Sequence, residues 1–148
     1  VKYITNYQND KRTQSFKEFY EDGNLRYVEH YANGVVDGAV REYYRDGSIN
    51  VEYTYVNGII EGVSKEYFAS GVVKSVSNYT SGKLNGQRIE YFENGTVQSE
   101  MEFRDDQLNG MAKTYYENGR VHIEGELVDG QFTTRTEYDP EGNIISSI

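Results

Sequence analysis

Glycine recurs with a fixed step of 24 residues, and this periodicity constrains the fold more than any other feature of the sequence. One series is Gly23, Gly47, Gly71, Gly95 and Gly119; a second is Gly34, Gly58, Gly82 and Gly130, with Asp106 in its gap; a third is Gly38, Gly62, Gly86 and Gly110. Gly142 continues the first series after a one-residue deletion, which leaves only Gly125 outside the three. Such a period predicts an array of stacked repeats rather than a conventional globular core.

Side chains within each unit alternate between apolar and polar, as in a β-strand. In the second unit Ile49, Val51, Tyr53 and Tyr55 alternate with Asn50, Glu52 and Thr54. Asp46-Gly47 and Asn57-Gly58 bound this run, and both dipeptides favour tight hairpin turns because glycine readily adopts positive φ. We therefore predict that each unit is a β-hairpin and that segments such as 58–62 join one hairpin to the next.

A lone hairpin cannot bury its apolar face or pair its edges, so the hairpins must stack on their neighbours. We predict an all-β fold: an elongated, single-layer antiparallel sheet of about six stacked hairpin repeats. The whole chain, 1–148, is expected to form one domain. Its approximate units are 1–22 (partial), 23–46, 47–70, 71–94, 95–118, 119–141 and 142–148 (partial). At the usual strand spacing such a sheet extends roughly 55–60 Å and has a core only one layer deep.

An aromatic pair precedes each first-series glycine: Phe19-Tyr20, Tyr43-Tyr44, Tyr67-Phe68, Tyr91-Phe92 and Tyr115-Tyr116. Adjacent strand residues point to opposite faces, so the two members cannot share one thin core. In one interpretation the second member packs on linker residues Ile60, Leu84 and Leu108; in the other it forms an accessible stripe that binds a protein. A two-residue turn at Asp46-Gly47 would place Tyr44 opposite Ile49, and a three-residue turn would exchange the two aromatic positions.

A glutamate recurs before the aromatic pair, at Glu18, Glu42, Glu66, Glu90 and, in the shortened last unit, Glu137. Successive hairpins hold these carboxylates about 10 Å apart, which is too far to share a proton or a metal ion. His30 and His122 stand at positions that other units fill with polar residues, so we expect them on polar strand faces. The sequence contains no zinc-protease motif, phosphate-binding glycine loop or nucleophile elbow. We predict neither an enzyme nor a bound cofactor or metal.

Composition narrows the class of partner. The chain has 24 Asp and Glu against 15 Lys and Arg, a net charge of -9, which disfavours nucleic acid and anionic membranes as partners. It has no cysteine, which excludes disulfides and thiolate chemistry but leaves the compartment open.

The first and last units depart from the pattern. Asp10 and Gln14 replace glycines, and Asp139-Pro140 replaces the second aromatic residue and its neighbour. Terminal repeats often diverge in this way. Val1 fits the aliphatic column and starts in the middle of a hairpin, so we expect a mature form or a fragment of a longer chain. Exposed end strands would also allow two copies to associate edge to edge.

The unit E-x-Y-Y-x-x-G-x-I-x-x-x-x-x-Y-x-x-G-x-x-x-G, read from Glu42 to Gly62, resembles the bacterial variant of the MORN (membrane occupation and recognition nexus) repeat. The resemblance covers nearly the whole chain, and its most specific element is the Tyr-x-x-Gly-x-x-x-Gly run. Unlike the eukaryotic unit, this chain lacks Trp and has, apart from Lys83, no basic residue after the second-series glycine. The resemblance implies an antitoxin or immunity role against a secreted toxin, and the departure from the eukaryotic unit argues against membrane attachment.

These observations favour a non-enzymatic module that binds a protein through an acidic, Tyr-rich surface, which suits a basic partner. The resemblance implies that this partner is a toxin domain, which the module would neutralise. The predicted partner-binding residues are Glu42, Glu66, Glu90, Tyr44, Phe68 and Phe92. The alternative is a structural or surface-interaction module within a larger exported protein. An immunity protein would act in the bacterial cytoplasm, and an exported fragment in the periplasm or at the cell surface.

Overall fold

The computed structural model describes residues 2–9 and 11–148, and these form one open antiparallel sheet of 16 strands. The strands are β1 (Lys2–Gln8), β2 (Lys11–Phe19), β3 (Leu25–Ala32), β4 (Val35–Val36), β5 (Gly38–Tyr43), β6 (Ile49–Val56), β7 (Ile59–Ile60), β8 (Gly62–Tyr67), β9 (Val73–Thr80), β10 (Lys83–Leu84), β11 (Gly86–Tyr91), β12 (Val97–Arg104), β13 (Gln107–Tyr115), β14 (Val121–Val128), β15 (Gln131–Tyr138) and β16 (Ile144–Ser147). The predicted all-β, single-sheet fold is confirmed.

Strands that follow one another in the chain lie side by side in the sheet. The main path runs β1-β2-β3-β5-β6-β8-β9-β11-β12-β13-β14-β15-β16. The two-residue strands β4, β7 and β10 pair with the strand before them and begin the return of each hairpin. Every pairing is therefore local in sequence, as expected of a repeat array.

Two kinds of turn alternate along the ribbon. At Asn57-Gly58 both residues have positive φ, 51° and 81°, and Val56 pairs with Ile59, so the turn has two residues. The other kind has three residues: the Tyr44 amide donates to the Ser48 carbonyl at 2.8 Å across the loop 45–47. The sequence left open whether the Asp46-Gly47 turn has two or three residues. The structure shows three, so Tyr43 and not Tyr44 lies opposite Ile49.

The sequence predicted that segment 58–62 joins one hairpin to the next, and this prediction is wrong. It begins with a two-residue turn and continues as the return strand, with the Glu61 amide bonded to the Thr54 carbonyl at 2.9 Å. Three third-series glycines, Gly38, Gly86 and Gly110, lie close to a side chain of the preceding strand, whereas a Cβ at Gly62 would meet nothing within 4 Å. A Cβ at Gly110 would overlap the Glu102 carboxylate, and one at Gly86 would contact Asn78. These glycines therefore combine positive φ with close packing.

Four successive two-residue turns hydrogen-bond their unit to the one before it. The second turn residue donates its amide to a carbonyl 22 residues earlier: Gly58 to Val36 at 2.8 Å, Gly82 to Ile60 at 3.0 Å, Asp106 to Leu84 at 3.0 Å and Gly130 to Leu108 at 3.1 Å. Asp106, which fills the gap in the second glycine series, keeps positive φ at 69°. Its carboxylate also accepts the Leu84 amide at 2.7 Å, so the substitution preserves the turn and adds a contact.

The strand register defines two faces, because directly paired residues point to the same side of a sheet. The packed face carries Val51, Tyr53 and Tyr55, and the open face carries Glu52, Thr54 and Val56. The buried side chains of the packed face are Val40, Ser75, Ser77, Leu84, Ser99, Ala112 and Leu127. Val28 is buried on the open face. The core is therefore thin, as expected, and lies on one side of the ribbon.

The irregular first and last units keep the backbone of the array. Gln14 has positive φ at 68°, like the third-series glycines it replaces. Asp139 occupies the second aromatic position and closes a turn of the same length, with its amide donating to the Asn143 carbonyl at 2.9 Å. Val1 and Asp10, which the sequence assigned to the aliphatic column and to a glycine position, lie outside the described residues.

Gly125, the glycine outside the series, provides a test of this packing. Its φ is not in the positive region, but a Cβ would overlap both the Thr134 carbonyl oxygen and the Phe132 ring. We expect Gly125→Ala to lower the free energy of unfolding by about 2 kcal/mol or more through overpacking. Ser77 occupies the same column two units earlier, so Ser77→Ala is the control and should cost less than about 1 kcal/mol. Equal urea midpoints for the two variants would contradict this account.

Candidate protein-binding surface

The predicted glutamates Glu42, Glu66 and Glu90 lie in one row across the packed face. Pairing runs from Tyr27 to Glu42, Val51, Glu66, Ser75, Glu90 and Ser99, so each glutamate is separated from the next by one intervening strand. Two strand spacings amount to roughly 9.6 Å. Sharing a proton or a metal ion would require carboxylates much closer together than this.

Two glutamates of the row have basic partners. Glu66 pairs with Lys74 at 3.4 Å, and Glu90 pairs with Arg88 at 2.8 Å and accepts the Ser99 hydroxyl at 3.0 Å. Glu42 makes no ion pair within the described part of the chain. Partly exposed ion pairs contribute only about 0–1 kcal/mol each, so an incoming cation could replace Lys74 or Arg88 at small cost.

The second aromatic column, which includes Tyr44, Phe68 and Phe92, lies on the same face as the glutamate row. At the two ends of the ribbon one side chain contacts both features: Arg26 reaches Glu18 and the ring of Tyr20, and His122 reaches Glu137 and the ring of Tyr116. Tyr44, Phe68 and Phe92 are half-buried. The carboxylates and these aromatic residues therefore share one face of the ribbon.

This column also connects neighbouring units through its hydroxyls. Tyr44 donates its hydroxyl to the Tyr67 carbonyl at 2.7 Å, and the matching bonds run from Tyr20 to Tyr43 at 2.6 Å and from Tyr116 to Tyr138 at 2.8 Å. Phe68 and Phe92 lack a hydroxyl, so the two central positions lack this bond.

The proposed packing of the second column on the linker residues is wrong. Ile60 pairs with Tyr55, Leu84 with Tyr79 and Leu108 with Phe103, at the opposite end of the strands from the aromatic pair. Linker residues and the second aromatic column thus occupy different margins of the ribbon.

The first aromatic column faces the other way and forms a set of hydrogen bonds that sequence reasoning missed. The hydroxyl of Tyr67 donates to Glu52 at 2.7 Å, that of Tyr115 to Glu100 at 2.9 Å and that of Tyr138 to Glu124 at 2.8 Å. The matching positions before Tyr43 and Tyr91 hold Val28 and Val76. A carboxylate 14 or 15 residues before the tyrosine is the sequence signal for this contact.

The Tyr67–Glu52 bond changes the acidity of both groups. Burial and the bond to Glu52 raise the pKa of Tyr67 to about 12. The same bond, together with Arg41, lowers the pKa of Glu52 below its ordinary value. The pair therefore favours the neutral phenol and the ionised carboxylate in the folded state.

The two histidines lie far apart in the described part of the ribbon, in β3 and β14. His30 lies exposed on the open face, with Nδ1 2.7 Å from the Ala39 carbonyl oxygen. His122 is half-buried near the packed face beside Glu137, contrary to the expected polar strand face. Across the same residues, no group of three or more His, Cys, Asp or Glu side chains could hold a metal ion. Nor does this part of the chain contain a helix long and apolar enough to cross a membrane.

The family model described as MORN repeat variant matches five segments of the chain: 15–33, 36–57, 60–83, 84–105 and 108–129. These segments cover well over half of the sequence, so the protein belongs to the MORN repeat variant family and is a repeat module of that type. No curated protein matches the chain significantly.

The missing central hydroxyls give a prediction about stability. We expect Phe68→Tyr and Phe92→Tyr each to raise the free energy of unfolding by about 0.5–1.5 kcal/mol, because the new hydroxyl can reach the Tyr91 or Tyr115 carbonyl. Tyr44→Phe should lower it by a similar amount. The Tyr91 hydroxyl has no side-chain bond to any described residue, so Tyr91→Phe is the control. Urea unfolding in which all four variants match the parent protein would disprove the bond's contribution.

The Tyr67–Glu52 pair predicts how stability depends on pH. Because the folded pKa of Glu52 is depressed, its contribution is lost as pH falls below about 4.5; because that of Tyr67 is raised, its contribution is lost as pH rises from about 10 towards 12. The stability difference between the parent protein and Tyr67→Phe should therefore be largest near pH 7 and shrink at pH 3 and pH 11. Urea titrations at the three pH values measure it. A constant difference would contradict the assignment.

Proposed function

We propose that this protein is a non-enzymatic MORN-type module that binds and neutralises a basic protein, such as a toxin domain. The observation that supports this most is the shared face of the glutamate row and the second aromatic column. Together they offer carboxylates at regular spacing beside half-buried aromatic rings, a combination suited to lysine- and arginine-bearing surfaces. The net charge of -9 would speed the encounter with such a partner.

Within this surface we assign the partner contacts to Glu42, Glu66, Glu90, Tyr44, Phe68 and Phe92. Glu42 is expected to contribute most among the carboxylates, since a partner need not displace an existing cation there. The tyrosine and phenylalanine rings would supply contact area at small entropic cost.

The first experiment is affinity capture from lysate and culture fluid of the organism that makes the protein, with washes at low and high salt. A single basic protein that is lost at high salt supports the proposal, since screening weakens contacts between exposed charges. Envelope proteins, or self-association alone, would favour the structural or surface-interaction module instead.

Charge reversal then tests the row itself. We expect the triple variant Glu42→Lys, Glu66→Lys, Glu90→Lys to weaken binding of the captured partner by about tenfold or more. The control changes Glu21, Glu93 and Glu117 to Lys, which alters net charge equally at exposed positions in the three-residue turns. Titration calorimetry of both variants is the measurement. Equal losses would mean that net charge, not the row, governs the affinity.

A further inference from the structure

Exposed apolar side chains are concentrated on the open face of the ribbon. Between β2 and β15 this face exposes Val35, Val56, Ile59, Val63, Met111 and Val128, each 45–52% exposed, whereas Phe132 alone among the described residues of this stretch is a large exposed apolar side chain on the packed face. Grouped apolar side chains on a solvent-facing surface mark contact sites. The open face is therefore a second candidate surface, distinct from the glutamate row.

Charge divides the chain, both faces and the turns included, into two parts. Residues 1–92 contain eleven Lys or Arg and twelve Asp or Glu, whereas residues 93–148 contain four and twelve. Nearly all of the net negative charge therefore belongs to β12–β16 and their turns. Val35, Val56, Ile59 and Val63 lie in the almost neutral part, and Met111 and Val128 lie in the acidic part.

Two columns of the open face account for part of this difference. Each column takes one residue from the first long strand of every unit, and the two residues lie two positions apart. In β12 the columns hold Glu100 and Glu102, and in β14 they hold Glu124 and Glu126. The three earlier units hold Val28 and His30, Glu52 and Thr54, and Val76 and Asn78. Only the last two of these units carry glutamate in both columns. Glu100 and Glu124 accept the hydroxyls of Tyr115 and Tyr138, so Glu102 and Glu126 are the exposed members of these columns.

Met111 lies between these carboxylates on the middle strand, β13. It pairs directly with Glu126, and its amide donates to Glu102 Oε2 at 3.2 Å. Glu102 and Glu126 are exposed and make no ion pair with any described residue. Lys113, on the same strand, is already paired with Glu124 at 2.9 Å. The outcome is an exposed apolar centre flanked by two unpaired carboxylates.

We propose that the open face of β12–β14 docks a basic protein segment that packs an apolar side chain on Met111 and Val128. Lys or Arg side chains of the segment lie beside Glu102 and Glu126. Charge complementarity selects this occupant, because the apolar centre stands in the strongly acidic part of the chain. The inference rests on the proposed protein-binding function and adds a second surface, on the face opposite the glutamate row.

The probe is a capped nine-residue peptide that alternates Leu and Lys, titrated into the full chain with labelled Ile, Val, Leu and Met methyl groups. We expect saturable shifts at Met111 and Val128, with no shift at Val40 and Leu84 on the packed face. A Ser–Lys peptide of equal charge should bind at least about tenfold more weakly because it lacks the apolar side chains. Shifts only at Val56 and Ile59, shifts on the packed face, or no binding would each overturn the proposal.

Two double variants test the carboxylates. Glu102→Gln with Glu126→Gln should weaken the Leu–Lys peptide about tenfold or more, since the amide oxygen of Gln can still accept the Met111 amide while the charge is gone. Glu117→Gln with Glu141→Gln removes the same charge from exposed turns of the acidic part and should change affinity less than about twofold. Equal effects would overturn the placement. If these open-face variants leave the captured partner bound while the row variant releases it, the proposed function stands and this surface is wrong.

Discussion

The array depends on the two-residue turn, which at four positions also donates an amide to the carbonyl 22 residues earlier. It requires positive φ at the second turn residue, which explains why glycine, or Asp106 with its own side-chain bond, recurs with such regularity. The length of the turn determines which residues of the two strands pair. The pairing in turn determines which side chains lie on the packed face and which lie on the open face. A unit without its neighbour would leave these donors to water and its apolar face uncovered.

Much of the fold follows from the sequence, because turns and alternation are local properties. The step between glycines gives the unit length, and the alternation around Val51 gives the strands. The length of the turn at Asp46-Gly47 could not be deduced, since an Asp-Gly pair fits turns of two and of three residues. Only the backbone bond from Tyr44 to Ser48 decides it.

The candidate site was less accessible to sequence reasoning. The row of Glu42, Glu66 and Glu90 was predictable because four successive units, from Glu18 to Glu90, hold glutamate at the same position. The Tyr67–Glu52 contact was not, because its partners stand 15 residues apart and meet only through the strand register. The requirement for glycine at position 125 was not predictable either, because the Phe132 ring that leaves no room for a Cβ belongs to the next strand. Partner identity depends on a second molecule, so no property of this chain alone could supply it.

The absence of the hydroxyl at Phe68 and Phe92 makes the second aromatic column chemically uneven along the ribbon. On either side of the centre, Tyr44 and Tyr116 donate their hydroxyls to the carbonyls of Tyr67 and Tyr138. The central junctions carry other bonds between units, among them the bond from the Leu84 amide to the Asp106 carboxylate at 2.7 Å. The middle of the column therefore offers only apolar ring atoms, and the flanking hydroxyls are already bonded within the array, so the proposed surface is least polar at its centre.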